Sequence, residues 1–263
     1  MLNYVYETHL MADPTLPFIF HKAFAVTDTS MLYNWHENIE LLWCIEGEGT
    51  LRCGAQELPF CCGDIALINT NTPHCICSQS SVQYRCLIIA NRFFQDNGIE
   101  IDSLRFQSVL KDPPLYRQLE AVADAYEQQG AYRTPAIRHA VLAVVLRICN
   151  DYVAEFVEPD NTAVYIRAVL QYIRAHLVEP LTLEQIAEHV GISKYYLCRL
   201  FHKYTGTTII SVIQTMRCAE AKRLIKDGMP IGTAAMACGF DNLSYFTRTF
   251  KRIMGCIPSS LRK

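Results

Sequence analysis

The last hundred residues of this chain state one short pattern twice. Ile186–Val190 followed by Gly191 recurs as Ala234–Cys238 followed by Gly239, at an offset of 48 residues. Leu197, Arg199, Phe201 and Gly206 recur as Phe246, Arg248, Phe250 and Gly255 at an offset of 49, and the one-residue slip falls in the turn. Such self-similarity marks an internal duplication, with each copy one small supersecondary unit. In the first copy Thr182 stands at an N-cap position, and Gln185 three residues on completes a capping box. That helix stops at Gly191; Ser193 caps the next one, which ends at Gly206. Short helix, glycine turn and capped helix make the helix-turn-helix pattern.

A helix over Ala163–Leu177 is expected before the first copy, with Ile166, Val169, Leu170, Ile173 and Leu177 as its buried stripe. Between the copies the periodicity predicts a helix over Ile209–Lys226, ~27 Å long at ~1.5 Å per residue. A spacer of that size suits two readers set about one DNA turn apart, ~34 Å.

Placed on a helical wheel, Leu197, Leu200, Phe201 and Tyr204 cluster in the first unit, opposite Tyr195, Arg199 and His202. In the second unit Phe246, Phe250 and Ile253 cluster opposite Ser244, Arg248 and Lys251. Both outward faces carry an arginine at the same place, and Arg binds guanine O6 and N7 bidentately in the major groove. The candidate DNA contacts are Ser193, Lys194, Tyr195, Cys198, Arg199 and His202 in the first unit. Their counterparts are Asn242, Ser244, Thr247, Arg248 and Lys251, with Lys203 and Lys226 as phosphate contacts at most. The alternative for both faces is a solvated helix surface.

Charge separates this block from what precedes it. Residues 1–161 hold 10 Lys+Arg against 20 Asp+Glu, whereas residues 162–263 hold 14 against 6. An acidic half of net −10 and a basic half of net +8 imply two domains with different partners, the basic one a polyanion such as double-stranded DNA. We divide the chain at 161/162, with Glu158-Pro159-Asp160-Asn161 as the linker. No apolar run approaches the ~18 residues of a membrane span, so no membrane partner is expected. The N-terminus lacks a basic start followed by an apolar core, so a cytoplasmic protein with its twelve cysteines reduced is expected.

The acidic half begins as strands. Phe18–Val26, Leu41–Ile45, Ile65–Ile68 and Tyr84–Ala90 are apolar runs broken by glycine or asparagine clusters, the pattern of a small barrel or sandwich within residues 1–91. From Pro114 the period becomes helical, with Leu115, Leu119, Val122 and Tyr126 on one stripe. A second helix is expected from Thr134 to Phe156. Ile137, Val141, Leu142, Val144, Val145 and Ile148 make it apolar on most sides, so it calls for two partners, the barrel and a second subunit met through the helix around Ile137–Tyr152, with Val141 and Val145 facing either that subunit or the barrel. The fold class is therefore α+β: an antiparallel barrel with flanking helices, then an all-α domain with two helix-turn-helix units.

Strand parity places Asn34, His36, Glu40, Leu42 and Cys44 on one face, with Trp35, Leu41, Trp43 and Ile45 on the other. The His36 imidazole and the Glu40 carboxylate would make a polar end to an apolar pocket. Three readings stay open for them: a small organic ligand, a metal ion, or a polar cluster holding nothing. Seven cysteines lie from Cys44 to Cys86 without a C-x-x-C pair, as small buried hydrophobes or as a thiol sensor or soft-metal site.

The block from Ala163 resembles the DNA-binding domain of the AraC/XylS family of bacterial transcription regulators. The stretches that carry the likeness are LTLEQIAEHVGISKYYLCRLFHKYTG, MRCAEAKRLI and AAMACGFDNLSYFTRTFKRIMGCIP. The family commonly closes on G-x-(S/T)-P-x-x-(Y/F)-R. Here Gly255–Arg262 lacks the hydroxyl residue and the aromatic, which bears on how the tail packs. Asn34-Trp35-His36, Glu40 and Gly47 resemble the first cupin motif without its leading glycine, and Gly63 with His74 the second. In metal-binding cupins three His and one Glu converge on one ion. His36, Glu40 and His74 match three of those positions, and Asn34 stands at the fourth. The resemblance implies an activator, homodimeric, meeting RNA polymerase, whose barrel takes a sugar or another small polar effector at Asn34, His36, Glu40 and His74. It implies no catalysis and no cofactor. A metal-dependent cupin enzyme and an effector-independent DNA binder are the competing classes.

Overall fold

The computed structural model describes residues 3–9, 11, 13, 15–27, 32–156 and 161–261. Two compact units emerge, residues 1–5 with 9–159 and residues 6–8 with 160–263. Of the expected linker, positions 158–160 lie outside the described residues, as does Arg262.

The first unit begins with β1 (Asn3–Tyr6), β2 (Phe18–Val26), β3 (Leu32–Trp35) and the 15-residue β4 (Ile39–Cys53). Then come β5 (Gln56–Cys61), β6 (Ile65–Ile68), β7 (His74–Cys77) and β8 (Val82–Ile89). β4 is the spine. Its first half pairs antiparallel with β6, Glu40 opposite Ile68, and with β8, Leu42 opposite Cys86. Its second half pairs with β5, Leu51 opposite Leu58, and with β7, Cys53 opposite His74. Register against β8 shifts between Cys44 and Glu46, where the strand passes from one sheet to the other. Gly47 makes the passage possible: its φ is +80°, and a Cβ there would lie 2.1 Å from the Ser81 carbonyl oxygen. β3 extends the β4–β7 sheet, and β2 flanks β8.

Alternation along β4 feeds two cores. Leu42 and Cys44 point between the sheets, with Leu51, Phe60, Ile68, Val82 and Ile88. Leu41 and Trp43 point outward, with Leu67 and Leu87, into a cluster closed by helices. Those helices follow α1 (Asn91–Asp96) and the short strands β9 (Leu104–Phe106) and β10 (Val109–Leu110): α2 spans Pro113–Glu127 and α3 spans Arg133–Asp151. The Trp43 indole N–H donates to Glu120 Oε1 of α2 at 2.6 Å, giving the buried ring's one polar atom a partner.

Two expectations about α3 need correction. The helix ends at Asp151, and Val153–Phe156 forms β11, antiparallel to β9. The end is pinned by Asp112, whose Oδ2 accepts from Tyr152 Oη at 2.6 Å and Arg147 Nε at 2.8 Å. Val141 and Val145 are fully buried in the chain's own core together with Ile137, Val144 and Ile148, so neither meets a second subunit. The outward apolar residue of α3 is Leu146, 49% exposed.

The second unit is helical: α4 (Asn161–Ala175), α5 (Leu183–His189), α6 (Lys194–Thr205), α7 (Ile209–Lys226), α8 (Ile231–Ala237) and α9 (Leu243–Met254). The duplication holds at the level of backbone. α5 and α8 have 7 residues each, and α6 and α9 have 12 each. Ser193 and Asn242 both accept from the backbone N–H three residues on. Gly206 and Gly255 cap at φ 71° and 72°, in the left-handed region that glycine takes without a Cβ clash. Thr182 and Gln185 form the expected capping box. At the tail Pro258 is buried and Leu261 packs on the second unit's core, an aliphatic contact where the family pattern has an aromatic.

Arg217, midway along α7, ties these pieces together. Its Nε donates to Leu177 O at 2.8 Å, Nη2 to Glu179 O at 2.7 Å and Nη1 to Gly239 O at 2.7 Å. Gly239 (φ +77°) has no room for a Cβ, which would lie 2.8 Å from Arg217 Cζ and 3.0 Å from Val178 O. Its repeat partner Gly191 has the same backbone (φ +73°) with nothing within 4 Å. Alanine at either position bears the left-handed strain of ~1–2 kcal/mol. Gly239→Ala also displaces a guanidinium whose charge-assisted bonds are worth ~1.5–3 kcal/mol each. Urea unfolding followed by helical circular dichroism should therefore show Gly239→Ala more destabilised than Gly191→Ala by ~2 kcal/mol or more. Equal losses would mean that the clamp adds nothing.

Candidate functional site

Two places gather the chemistry. The first is the outward face of α6 and α9. Arg199, Tyr195 and His202 on α6 are exposed, as are Arg248, Ser244 and Lys251 on α9, while Leu197, Phe201, Phe246 and Phe250 are buried. Tyr195 is 77% exposed, an aromatic ring set out in water beside Arg199. Other candidates also have partners within the chain. Ser193 and Asn242 are the N-caps, and Lys194 Nζ pairs with Glu184 Oε1 at 2.5 Å. The Thr247 hydroxyl donates to Leu243 O at 2.9 Å, and His202 Nδ1 lies 3.3 Å from Thr207 O. Cys198 is half-buried, and Lys203 and Lys226 are exposed.

The second place lies inside the first unit. His36 does not continue a strand: β3 ends at Trp35, and His36 opens the bend that leads into β4. The parity reading assumed unbroken strand, but the bend still turns the ring onto Glu40 four residues on. His36 Nε2 and His74 Nε2 each lie 3.0 Å from Glu40 Oε2. The three side chains are sealed in, with 1%, 6% and 5% of His36, Glu40 and His74 exposed. Asn34 is the register partner of His74 across β3 and β7 and is half-buried.

Each of the three is pinned from behind. His36 Nδ1 meets Asn38 O at 3.0 Å, and His74 Nδ1 meets Thr72 O at 3.0 Å. A carbonyl oxygen only accepts, so both Nδ1 atoms carry hydrogen. Glu40 Oε1 accepts from the Cys86 thiol at 2.9 Å. The Asn71 N–H donates to His36 O at 2.7 Å, which closes the β6–β7 loop over the histidine.

The titration of the cluster is opposed from two sides. Burial pushes the His36 pKa down, the nearby His9 adds to this, and Glu40 pulls the other way. Burial resists ionisation of Glu40, but the contacts with His36 and His74 outweigh it and hold the carboxyl well below the usual carboxylate range. The donors fit a divalent metal ion, since two imidazoles and a carboxylate are a common transition-metal set. His36, Glu40 and His74 bring their ligand atoms within 4.8 Å of one another.

Comparison with known proteins divides the chain the same way. Residues 23–142 match the model of the AraC-like ligand binding domain, and residues 186–263 that of a helix-turn-helix domain. The multiple antibiotic resistance protein MarA of Escherichia coli is 35% identical over 104 residues, covering 82% of its length and 39% of this chain. The chain belongs to the AraC family of transcription regulators. It is 27% identical over 224 residues to an uncharacterised regulator of Bacillus subtilis, YbfI, which spans 81% of this chain and 80% of that one. The match to the arabinose operon regulatory protein of E. coli is 35% over 99 residues and takes in 34% of that protein's length. ToxT from Vibrio cholerae has the same fold (TM-score 0.60, 15% identity, 93% of this chain and 96% of that one), and one structure of it holds an unsaturated fatty acid.

As a member of this family the regulator binds DNA through its helix-turn-helix units and carries a ligand-binding domain. Among the described residues no helix is long and apolar enough to cross a membrane. Sequence reasoning missed Cys86. The signal was there in alternation, since Cys86 and Ile88 share a face of the strand that pairs with Glu40 and Leu42. It also missed a polar cleft of about 680 Å³ lined by Thr50, Arg52, Cys61, Cys77, Ser78 and Ser80. Burial raises the Cys44 and Cys53 thiols to about 11, so both stay protonated and pack as apolar groups.

A group whose pKa falls on folding binds fewer protons folded than unfolded, so its contribution is present above the unfolded value and is lost in acid. His36, ordinarily near ~6.5, should cost stability as the pH falls below that value, and Glu40 adds its loss at more acid pH. Thermal melts of the regulator should show the first unit losing stability from pH 7 to pH 5. The slope should be shallower in His36→Gln, and an unchanged slope would remove His36 as the cause.

Proposed function

We propose that the chain is a cytoplasmic one-component regulator in which a small polar effector, a sugar or a similar metabolite, acts at Asn34, His36, Glu40 and His74 and alters how α6 and α9 engage DNA. The observation that carries this is a sealed cluster of two imidazoles and a carboxylate in an otherwise apolar barrel interior. Such groups are costly to bury, and a bound partner for them offsets that cost. The domains divide at 161/162, and the whole works without catalysis of its own. It acts as a homodimer through the first unit, with Leu146 of α3 on the contact face, and as an activator that meets RNA polymerase.

For the DNA side, Arg199 and Arg248 read bases and Lys203 and Lys226 touch phosphate. Arg199→Ala and Arg248→Ala should each cost ~1–3 kcal/mol of specific binding and relax preference at one base position. Lys203→Ala should weaken binding to every sequence alike and lower the salt slope by ~1. Selection of binding sites from a random duplex pool, repeated with each variant, separates the two outcomes. An unchanged preferred sequence for Arg199→Ala would sink the assignment of faces.

For the sensor side, Glu40→Gln keeps the shape and removes the charge. It should abolish the response to effector in a reporter assay while gel-shift binding to the operator stays within about twofold, a difference of ~0.4 kcal/mol. A normal response in both Glu40→Gln and His36→Ala would place the effector elsewhere, with the polar cleft at Arg52 as the next site to test.

A further inference from the structure

We propose that the outer face of the sheet formed by β4, β5 and β7 carries a small-molecule site of its own, which takes a hydroxylated monocarboxylate with the carboxylate on Arg52. This site is independent of the reading of the cluster inside the barrel.

Alternation along the second half of β4 sends Leu51 and Cys53 into the barrel core and Thr50 and Arg52 to the opposite face. On that face Thr50 stands between Pro59 of β5 and Cys77 of β7, and Arg52 between Glu57 and Cys75. The polar cleft of about 680 Å³ lies here, within the ~300–1,000 Å³ usual for small-ligand pockets. Its wall is fastened from within. The Ser78 hydroxyl donates to Glu48 O at 2.7 Å and accepts from the Ser80 N–H at 3.3 Å, which ties segment 78–80 to β4. Glu48, Gln79 and Ser80 are exposed, so the cleft opens to solvent, whereas the barrel cluster is sealed.

Arg52 supplies the ligand chemistry. Its side chain is only 18% exposed, and a charge so covered is costly unless it is paired. Glu57 Oε1 lies 3.0 Å from Nε, yet no aligned hydrogen bond forms, and Nε is buried without an acceptor. Among the described residues Nη1 and Nη2 meet no acceptor either. Glu57 itself is 63% exposed, a loose partner. A carboxylate matches the guanidinium fork with two parallel hydrogen bonds. The neighbouring charges select among anions, since one guanidinium stands with two carboxylates, Glu48 and Glu57. A phosphate monoester, about −1.5 to −2 at neutral pH, brings more charge than Arg52 offsets, whereas a monocarboxylate replaces Glu57 charge for charge. Glu48 stands four residues from Arg52, ~13 Å along the strand at ~3.3 Å per residue, so the far end of the ligand needs donors. Hydroxyls fit, because Glu48, Thr50 and Ser80 all accept hydrogen bonds. Cys53 and His74 are one register pair of the β4–β7 ladder, and Arg52 and Cys75 are the next. A ligand lying across β4 and segment 78–80 therefore braces the ladder that carries His74 into the barrel.

The test is calorimetric titration of the full-length chain with gluconate, glucuronate and quinate, and with glucose and inorganic phosphate beside them. Cysteine alkylation read by peptide mass spectrometry locates the site, and circular dichroism shows that every sample is folded. At least one carboxylate should bind with a Kd of ~1 mM or tighter. It should slow alkylation of Cys77, which lines the cleft, and leave Cys62, which is exposed and outside it, unchanged. Arg52→Gln should weaken binding ~10–150-fold, the loss of a charge-assisted pair, and Arg52→Lys less. Glu57→Gln removes the competing carboxylate and should tighten binding ~2–5-fold, which a merely structural Arg52–Glu57 pair would not do. Should Arg52→Gln fail to fold, Arg52→Lys and Glu57→Gln carry the same test. No carboxylate binding by the folded native chain at ~10 mM overturns the proposal, as does unchanged affinity in the Arg52 variants. Glucose or phosphate binding as tightly as the best carboxylate overturns the ligand class. Binding lost in Glu40→Gln but kept in Arg52→Gln places the carboxylate in the barrel, which overturns the outer site and leaves the reading of the cluster standing.

Discussion

Side chains on a β-strand alternate, and along β4 this sends successive residues into two different interiors. Glu40, Leu42 and Cys44 go between the sheets, while Leu41 and Trp43 go under α2 and α3. A slip of one residue would exchange the sets, placing Trp43 in the barrel and the Glu40 carboxylate beneath the helices. The slip is blocked by pairing on both edges at once. β6 and β8 grip the first half of the strand, β5 and β7 the second. The shift of register beside Glu46 and the absence of a side chain at Gly47 let one strand serve both sheets. Location of the polar cluster, closure of the barrel core and seating of the helices all follow from that fixed register.

In the second unit the comparable constraint is the Arg217 guanidinium. Helix-turn-helix units bury little surface each, and two of them on one chain need a device that fixes their mutual orientation. Arg217 reaches the segment after α4 on one side and the turn between α8 and α9 on the other, through carbonyls that lie outside helical hydrogen bonding. Each donor thus satisfies a backbone acceptor that would otherwise be left to water. Gly239 is the counterpart of that reach, because only a residue without a Cβ leaves room for the guanidinium.

Legibility in the sequence followed the range of the interactions. The helix-turn-helix units were readable because their signals are local: an N-cap, a glycine one or two residues past a helix end, an arginine at a fixed wheel position. Repetition then excluded coincidence. The carboxylate and histidines were readable from spacing, though His36 reached Glu40 through a bend and not along a strand. What sequence did not give was set by tertiary contact. The apolar girth of α3 looked like a subunit contact, but α2 and the outer sheet face cover Val141 and Val145. Nothing local to Cys86 announces its bond to Glu40, which depends on β4–β8 pairing. Nor does anything local to Lys194 announce its pairing with Glu184, ten residues away and across the turn.

The cluster's three members belong to different parts of the barrel. Glu40 stands in the half of β4 held by β6 and β8, His74 opens β7 in the other sheet, and His36 sits in the bend between β3 and β4. Anything bound among them ties the two sheets together through side chains. A ligand shifts an equilibrium only by the difference in its affinity for the two states. A site whose donors come from one strand would be nearly as complete in a loosened barrel as in a tight one, and its occupant would discriminate little. Donors drawn from both sheets and a bend come together only when β3, β4 and β7 are in register, so occupancy favours the tight arrangement by most of its binding energy. That dependence on the assembled barrel, more than the identity of the three side chains, is what fits the cluster to sensing.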